Sequence, residues 1–149
     1  MKKMIKVKPI GSLDKKTWKW VKLAAEVRKR AYAPYSKFLV GSCIVDEVGN
    51  LHTGCNVENA SFTAGICAER AAIASLVSQG GDKIACVVIV GSSDELIFPC
   101  GVCRQVIVEF GPSARVITVN KKLSKYCEMN VSDLYPYAFS REAMGHTRT

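Results

Sequence analysis

Two short stretches hold three of the seven cysteines, and they constrain this chain more than any other feature. The first is Cys67-Ala68-Glu69-Arg70, and the second is Pro99-Cys100-Gly101-Val102-Cys103. Thiolates are strong zinc ligands, and a carboxylate beside the metal can carry protons for a water bound to it. The pattern therefore predicts a catalytic zinc centre, with Cys67, Cys100 and Cys103 as ligands and Glu69 as the proton carrier.

Both stretches lie where helices are expected to begin. Alanine-rich residues 65–79, closed by a Gly-Gly pair, predict one helix, and residues 100–110 predict a second. The partial positive charge of a helix N-terminus favours the thiolates that zinc requires. Arg70 follows Cys67 by three residues, so its guanidinium can donate hydrogen bonds to the sulfurs and offset the charge of three thiolates.

The number of ligands separates two kinds of zinc site. Three protein ligands leave a tetrahedral position for water, which is typical of catalytic zinc, whereas a structural site has four. Four further cysteines and two histidines offer candidates for a fourth ligand, but none forms a second close pair with another ligand: Cys43, Cys55, Cys86, Cys127, His52 and His146. We therefore expect an open site.

The rest of the chain alternates between helical and strand patterns. Apolar spacing predicts a helix over 15–31, capped by Ser12 or Asp14 and ended by Pro34. An antiparallel hairpin is predicted over 38–48 and 51–57, and buried strands over 84–90 and 115–119. Helices that alternate with strands imply an α/β sheet layered by helices, with ligands at the carboxyl ends of strands.

Length, charge and cysteine content bound the class of protein. The 149 residues fit a single domain over 1–149, with residues 1–11 as a flexible basic tail. No signal peptide or membrane span is recognisable, and the odd cysteine count argues against a disulfide scaffold, so we expect a cytoplasmic protein without a membrane partner. The net charge is +8, but residues 55–110 carry three basic and six acidic side chains. We therefore expect no nucleic-acid partner.

Four motifs resemble those of the zinc-dependent cytidine deaminases, in particular the small homotetrameric branch with three cysteine ligands. They are Pro34-Tyr35-Ser36-Lys37-Phe38-Leu39-Val40-Gly41, Asn56-Val57-Glu58-Asn59-Ala60-Ser61, Gly65-Ile66-Cys67-Ala68-Glu69-Arg70 and Pro99-Cys100-Gly101-Val102-Cys103-Arg104-Gln105-Val106. Three positions depart from the usual pattern: Phe62 replaces a common tyrosine, Ser42 an alanine and Tyr135 a leucine. The resemblance implies a three-layer α/β/α fold with a mixed sheet of about five strands.

The resemblance also implies an activity and a set of residue roles. It implies hydrolytic deamination of cytidine and 2′-deoxycytidine to the corresponding uridines in pyrimidine salvage, with one Zn²⁺ per subunit. Zinc-bound hydroxide would attack C4 while Glu69 carries protons. Further residues would bind substrate: Asn56 and Glu58 at the ribose 3′-hydroxyl, Phe38 against the base, Ala68 elsewhere in the substrate site, and Phe139 from a neighbouring subunit of a homotetramer.

Three alternatives remain open at this point. A polynucleotide-editing deaminase would account for the positive charge, although such enzymes usually carry His-Ala-Glu where this chain has Cys67-Ala68-Glu69. A blasticidin S-type nucleoside deaminase would lack the Asn-x-Glu-Asn motif that begins at Asn56. A purely structural zinc protein would not need the carboxylate of Glu69.

Overall fold

A six-stranded mixed sheet forms the centre of the computed structural model, which describes residues 5–146. The strands are β1 (Val7–Pro9), β2 (Gly41–Asp46), β3 (Leu51–Cys55), β4 (Ile84–Val90), β5 (Arg115–Val119) and β6 (Lys125–Asn130), in the spatial order β1-β6-β5-β4-β2-β3. The β4–β5 pair is parallel and every other pair is antiparallel. Four helices complete the fold: α1 (Lys15–Arg28), α2 (Ala68–Ser78), α3 (Gly101–Phe110) and α4 (Val131–Leu134).

Helices cover both faces of the sheet and create two apolar cores. On one face Trp20, Val21 and Ala24 of α1 pack against β2, β4 and β5. On the other face α2 and α3 bury residues such as Leu76 and Ile107 against the opposite side of the same strands. The α/β/α layering expected from the sequence is thus confirmed.

The first helix begins where predicted and ends earlier than predicted. Asp14 is its N-cap, because the Asp14 carboxylate accepts hydrogen bonds from the Thr17 backbone N–H at 2.9 Å and the Thr17 hydroxyl at 2.6 Å. The helix stops at Arg28 rather than at residue 31, so Pro34 lies beyond its end. At 14 residues it is about 21 Å long, and within residues 5–146 no helix has the length and hydrophobicity to cross a membrane.

The sheet has six strands rather than about five, because both ends of the chain contribute. Val7–Pro9 pairs with β6 through the register Val7↔Cys127 to Pro9↔Lys125, and a 3-10 turn follows at Ile10–Ser12. The prediction of a loose tail over 1–11 is therefore wrong for residues 7–11, since backbone pairing orders a segment whose side chains are mostly exposed. Residues 1–4 of that predicted tail lie outside the described residues.

The strand directions bring several chain segments to one edge of the sheet. Because β2 is antiparallel to both β3 and β4, the start of β2 lies beside the ends of its two neighbours. The chain enters α3 after leaving β4 at this edge, and it reaches α2 through a loop after β3. Gly54 lets α2 lie close on β3, since a Cβ there would stand 2.3 Å from the backbone N of Ala72.

Candidate active site

Two helix starts meet at the edge of the sheet where β4 ends and bring three sulfurs together. Cys67 is the N-cap of α2, Cys100 is the N-cap of α3, and Cys103 lies in the first turn of α3. Their Sγ atoms all lie within 4.8 Å of one another, and Cys67 Sγ and Cys100 Sγ are 3.9 Å apart. The three predicted ligands therefore converge.

The spacing of the sulfurs fits a tetrahedral zinc ion. With Zn–S bonds of ~2.3 Å, tetrahedral geometry places two sulfurs about 3.8 Å apart, close to the separation of Cys67 and Cys100. Among residues 5–146, no other group of three or more His, Cys, Asp or Glu ligand atoms is close enough to hold a metal. The donor set thus consists of three thiolates, with no fourth protein ligand in the described part of the chain.

The environment of Cys67 favours its thiolate. A hydrogen bond from the Cys103 thiol, with the Arg70 guanidinium close by, lowers the pKa of Cys67 to about 5. Arg70 Nη2 lies 3.9 Å from Cys67 Sγ and donates to the Gly65 carbonyl at 3.2 Å. The predicted place of Arg70 beside the sulfurs agrees with this geometry, and its positive charge offsets part of the negative charge of the ligand set.

Glu69 lies in the first turn of α2 and is almost fully buried, with 5% of its surface exposed. Burial, together with negative charge on Cys67, raises the pKa of Glu69 to about 7. A carboxyl group with such a pKa can accept and donate protons at neutral pH. Because Glu69 borders the cleft beside Cys67, it is placed to exchange protons with a molecule bound there.

A cleft of about 490 Å³ opens in front of the sulfurs. Its walls combine apolar and polar side chains, including Phe38, Val40, Asn56, Glu58, Ile97 and Phe98. Ala68 and Arg70 also border it. Such a mixture of flat apolar surface and a few fixed polar groups is typical of a small-molecule site. A larger cavity of about 620 Å³ lies at the β2–β3 turn, but no predicted site residue lines it.

Asn56 and Glu58, two of the predicted substrate contacts, both line the cleft. The Asn56 side-chain amide donates to the Phe38 carbonyl at 2.9 Å, and its Oδ1 accepts from the Val40 N–H at 2.8 Å. These two bonds fix which way the amide faces and leave one N–H and one lone pair for a ligand.

The Glu58 carboxylate is held by the turn that precedes Phe38. It accepts hydrogen bonds from the Tyr35 N–H at 2.9 Å, from the Ser36 N–H at 3.2 Å and from the Ser36 hydroxyl. The hydrogen bond from the Ser36 hydroxyl is the main reason that the pKa of Glu58 is lowered, so this group is an oriented acceptor at neutral pH. The role of Ser36 was missed, although the residue stands in one of the four recognised motifs.

Two predicted site residues, Cys103 and Phe139, are not among those that line the cleft of this chain. Phe139 is 61% exposed, and its carbonyl accepts a hydrogen bond from Gln105 Nε2 at 2.8 Å. It follows α4 and is not among the residues that line the cleft. Its predicted contact with a neighbouring subunit stays a prediction.

Arg104 supports the second cysteine stretch and was not singled out from the sequence. Its Nε donates to the Pro99 carbonyl at 2.7 Å and its Nη1 to the Leu134 carbonyl at 2.9 Å. These bonds tie the residue before Cys100 to the end of α4. Arg104 thus helps to fix the start of α3, where two of the three sulfurs lie.

Comparison with known proteins agrees with this geometry. The family model described as the cytidine and deoxycytidylate deaminase zinc-binding region matches residues 14–119. The chain is 38% identical to a cytidine deaminase of Sporosarcina psychrophila over 128 residues, which cover 84% of this chain and 94% of that protein. It is 36% identical to a cytidine deaminase of Halalkalibacterium halodurans over 83% of this chain and 94% of that protein.

Solved structures extend the similarity to the fold. The crystal structure of cytidine deaminase from Burkholderia pseudomallei superposes with a TM-score of 0.78 at 39% sequence identity. The match covers 82% of this chain and 98% of that chain. The similarity therefore spans almost the whole of that protein, and the family model over residues 14–119 includes the three cysteines and the residues that line the cleft.

Proposed function

The chain belongs to the zinc-dependent cytidine deaminase family, and from this premise we propose that it deaminates free cytidine and 2′-deoxycytidine. The oxygen of a water molecule replaces the amino group at C4, so the products are ammonia and uridine or 2′-deoxyuridine. The observation that carries the proposal is the cluster of Cys67, Cys100 and Cys103, of which Cys67 and Cys100 line the same cleft as buried Glu69.

The metal centre and Glu69 divide the chemistry. Cys67, Cys100 and Cys103 would hold the zinc, which would supply a Lewis acid that makes water a stronger nucleophile. Glu69 takes one proton from the attacking water and delivers it to N3 of the pyrimidine, and it then moves the second proton from the new C4 hydroxyl to the departing amine, which leaves as ammonia. Its pKa of about 7 suits a group that must both accept and donate protons. This kind of proton transfer contributes about 10²–10⁴-fold to a rate.

The other cleft residues orient the nucleoside. Phe38 offers an aromatic face for the base, and Ala68 lines the same cleft. Asn56 and Glu58 receive the ribose 3′-hydroxyl: the carboxylate accepts its proton in a hydrogen bond, and the free amide N–H donates to its oxygen. Both groups are fixed by backbone hydrogen bonds before substrate arrives, so little further ordering is needed on binding.

The charge of the cleft favours a neutral nucleoside over a phosphorylated substrate. Glu58 and Glu69 both border it, and Arg70 is the only arginine or lysine among its lining residues. Arg70 is already directed at Gly65 and Cys67. A nucleotide or a single-stranded polynucleotide would bring phosphates toward carboxylates, and no lining residue of the cleft offers a free cation to pair with them. We therefore propose that nucleic acids are not substrates of this protein.

We also propose that the protein assembles as a homotetramer that shares its active sites. Phe139 is exposed and does not line its own cleft, and Phe62 is 82% exposed at the cleft of the same chain. Burial of such rings against another copy would remove apolar surface from water and close the cleft. A cytoplasmic location and a role in pyrimidine salvage belong to the same proposal.

The decisive experiment follows the loss of cytidine absorbance in the ultraviolet. Zinc-loaded protein should deaminate cytidine, lose activity with a chelator and regain it when zinc is added. The same assay on deoxycytidine monophosphate and on a cytosine-containing single strand tests the substrate class. Turnover of the strand alone, or no turnover of cytidine by protein that contains one zinc per chain, would refute the proposal.

A further inference from the structure

Residues 38–40 continue the path of β2, but apart from one backbone bond, from the Asn56 N–H to the Val40 carbonyl at 3.3 Å, side chains hold their backbone. On the side of β3, the Asn56 amide bonds the Phe38 carbonyl at 2.9 Å and the Val40 N–H at 2.8 Å. On the side of β4, the Ser92 hydroxyl accepts from the Leu39 N–H at 3.0 Å and donates to the Leu39 carbonyl at 2.8 Å. An extended segment directs alternate residues to opposite neighbours, so these two side chains take the place of most of the ladder bonds that β3 and β4 would otherwise make.

The backbone of Gly91 and Ser92, a corner of the chain directly after β4, is itself held by other contacts. Arg28 Nη1 donates to the Gly91 carbonyl at 2.6 Å, which ties the corner to the end of α1. Gly91 also stands close to the ring of Phe38, since a Cβ there would lie 3.6 Å from Phe38 Cζ and 2.4 Å from Ile97 Cδ1. The backbone next to Ser92 is therefore fixed, and its hydroxyl is held in position beside Leu39.

From this arrangement we infer that Ser92 is a positioning residue for the sugar end of the substrate site. The inference rests on the proposed function of Asn56 as a ribose contact. Ser92 is not among the residues that line the cleft, so it acts through Leu39. Its hydroxyl holds the peptide groups on either side of Leu39, and those groups include the Phe38 carbonyl and the Val40 N–H that orient the Asn56 amide.

Loss of the hydroxyl should weaken sugar recognition more than the chemical step. Without Ser92 Oγ, the N–H and carbonyl of Leu39 lose the partner that holds them on the β4 side. Residues 38–40 are then held mainly from the side of Asn56. The Phe38 carbonyl and the Val40 N–H, which orient the Asn56 amide, become mobile. Glu69 and the three sulfurs lie on α2, on α3 and at their N-caps, so their geometry does not depend on this contact.

The test compares cytidine with 3′-deoxycytidine in three variants. For Ser92→Ala we expect kcat/KM for cytidine to fall about tenfold, mainly through KM, as two hydrogen bonds are lost. The preference for cytidine over 3′-deoxycytidine should also fall, by about threefold or more. Ser92→Thr keeps the hydroxyl and should restore both values. Ser93→Ala is the matched control, because Ser93 Oγ accepts from the Glu95 N–H at 3.0 Å, and it should match the wild type.

Two outcomes would overturn the inference. One is a Ser92→Ala variant with the wild-type preference for cytidine over 3′-deoxycytidine, whatever its overall rate. The other is a Ser92→Thr variant that is as impaired as Ser92→Ala while both remain folded by circular dichroism. Failure of the proposed function has a different signature, because the zinc-loaded wild type would then not deaminate cytidine at all.

Discussion

Replacement of Ser42 by alanine should make the protein more stable. Ser42 is fully buried on β2, and its hydroxyl has no hydrogen-bond partner among the described residues. A buried polar group without a partner costs about 1–3 kcal/mol. Alanine removes that cost and leaves a void of only one atom, so we expect the free energy of unfolding of Ser42→Ala to rise by about 1 kcal/mol. For a chain of this length, the melting temperature should rise by about 2–4 °C.

Thr118 provides the matched comparison, because its buried hydroxyl has a hydrogen-bond partner. It is 1% exposed on β5, and its Oγ1 donates to the Ile97 carbonyl. Thr118→Val keeps the shape of the side chain but deprives that carbonyl of its donor, so stability should fall by about 1–3 kcal/mol. The two substitutions each remove one buried hydroxyl, yet the expected changes have opposite signs.

Urea unfolding followed by tryptophan fluorescence measures both changes. The variants should be zinc-loaded and compared at one protein concentration, since bound metal and assembly both add to apparent stability. Equal slopes with shifted midpoints identify a true change in stability. If Ser42→Ala unfolds at lower urea than the wild type, the reasoning from its unpaired hydroxyl is wrong.

Two further predictions concern the guanidinium and the buried thiols. Arg70→Ala removes the donor to the Gly65 carbonyl and the positive charge beside Cys67, so zinc affinity or turnover should fall about 10–100-fold; a variant with wild-type zinc retention in a chelator titration and wild-type kcat would contradict this. Cys43 and Cys86 should resist Ellman's reagent at pH 8 in the folded zinc protein and react after unfolding. Burial raises the pKa of each thiol to about 12, so neither forms the reactive thiolate; rapid modification in the native state would show otherwise.

The elements with strong apolar periodicity were predictable from the sequence, and their ends were not. The unbroken apolar run of Ile84–Val90 and the alanine-rich α2 both appear close to their predicted positions. Both hairpin strands are shorter than predicted. β2 spans Gly41–Asp46 rather than 38–48, and β3 spans Leu51–Cys55 rather than 51–57. Residues 38–40 look like strand in sequence because they are apolar, but most of their hydrogen-bond partners are the side chains of Asn56 and Ser92, which periodicity does not reveal.

The two strands at the far edge of the sheet escaped prediction for a physical reason. In β6 (Lys125–Asn130) only Tyr126 and Cys127 are buried, so the segment lacks the alternation of a half-buried strand. In β1, which spans Val7–Pro9, no residue is buried, and pairing with β6 orders the segment. Such strands are defined by backbone pairing with distant residues, and the residue types in the strand give little indication of that pairing.

The candidate site was more predictable than the sheet, because its chemistry depends on rare residue types. Three cysteines and a glutamate at two predicted helix starts sufficed to predict the cluster that the structure forms. The supporting contacts were less visible. Serine is common in loops, so nothing in its type distinguishes Ser36 or Ser92 from Ser93 until the fold places their hydroxyls against Glu58 and Leu39.

The central claim is that Glu69 carries protons for a zinc-dependent deamination, and Glu69→Gln tests it most directly. The measurement pairs zinc content per chain with the rate of cytidine deamination. We expect one zinc per chain in both proteins and a fall in kcat of about 10²–10⁴-fold in the variant, since glutamine has nearly the same shape but cannot transfer the proton. A variant that keeps near wild-type kcat, or one that loses its zinc along with its activity, would contradict the proposed role of Glu69.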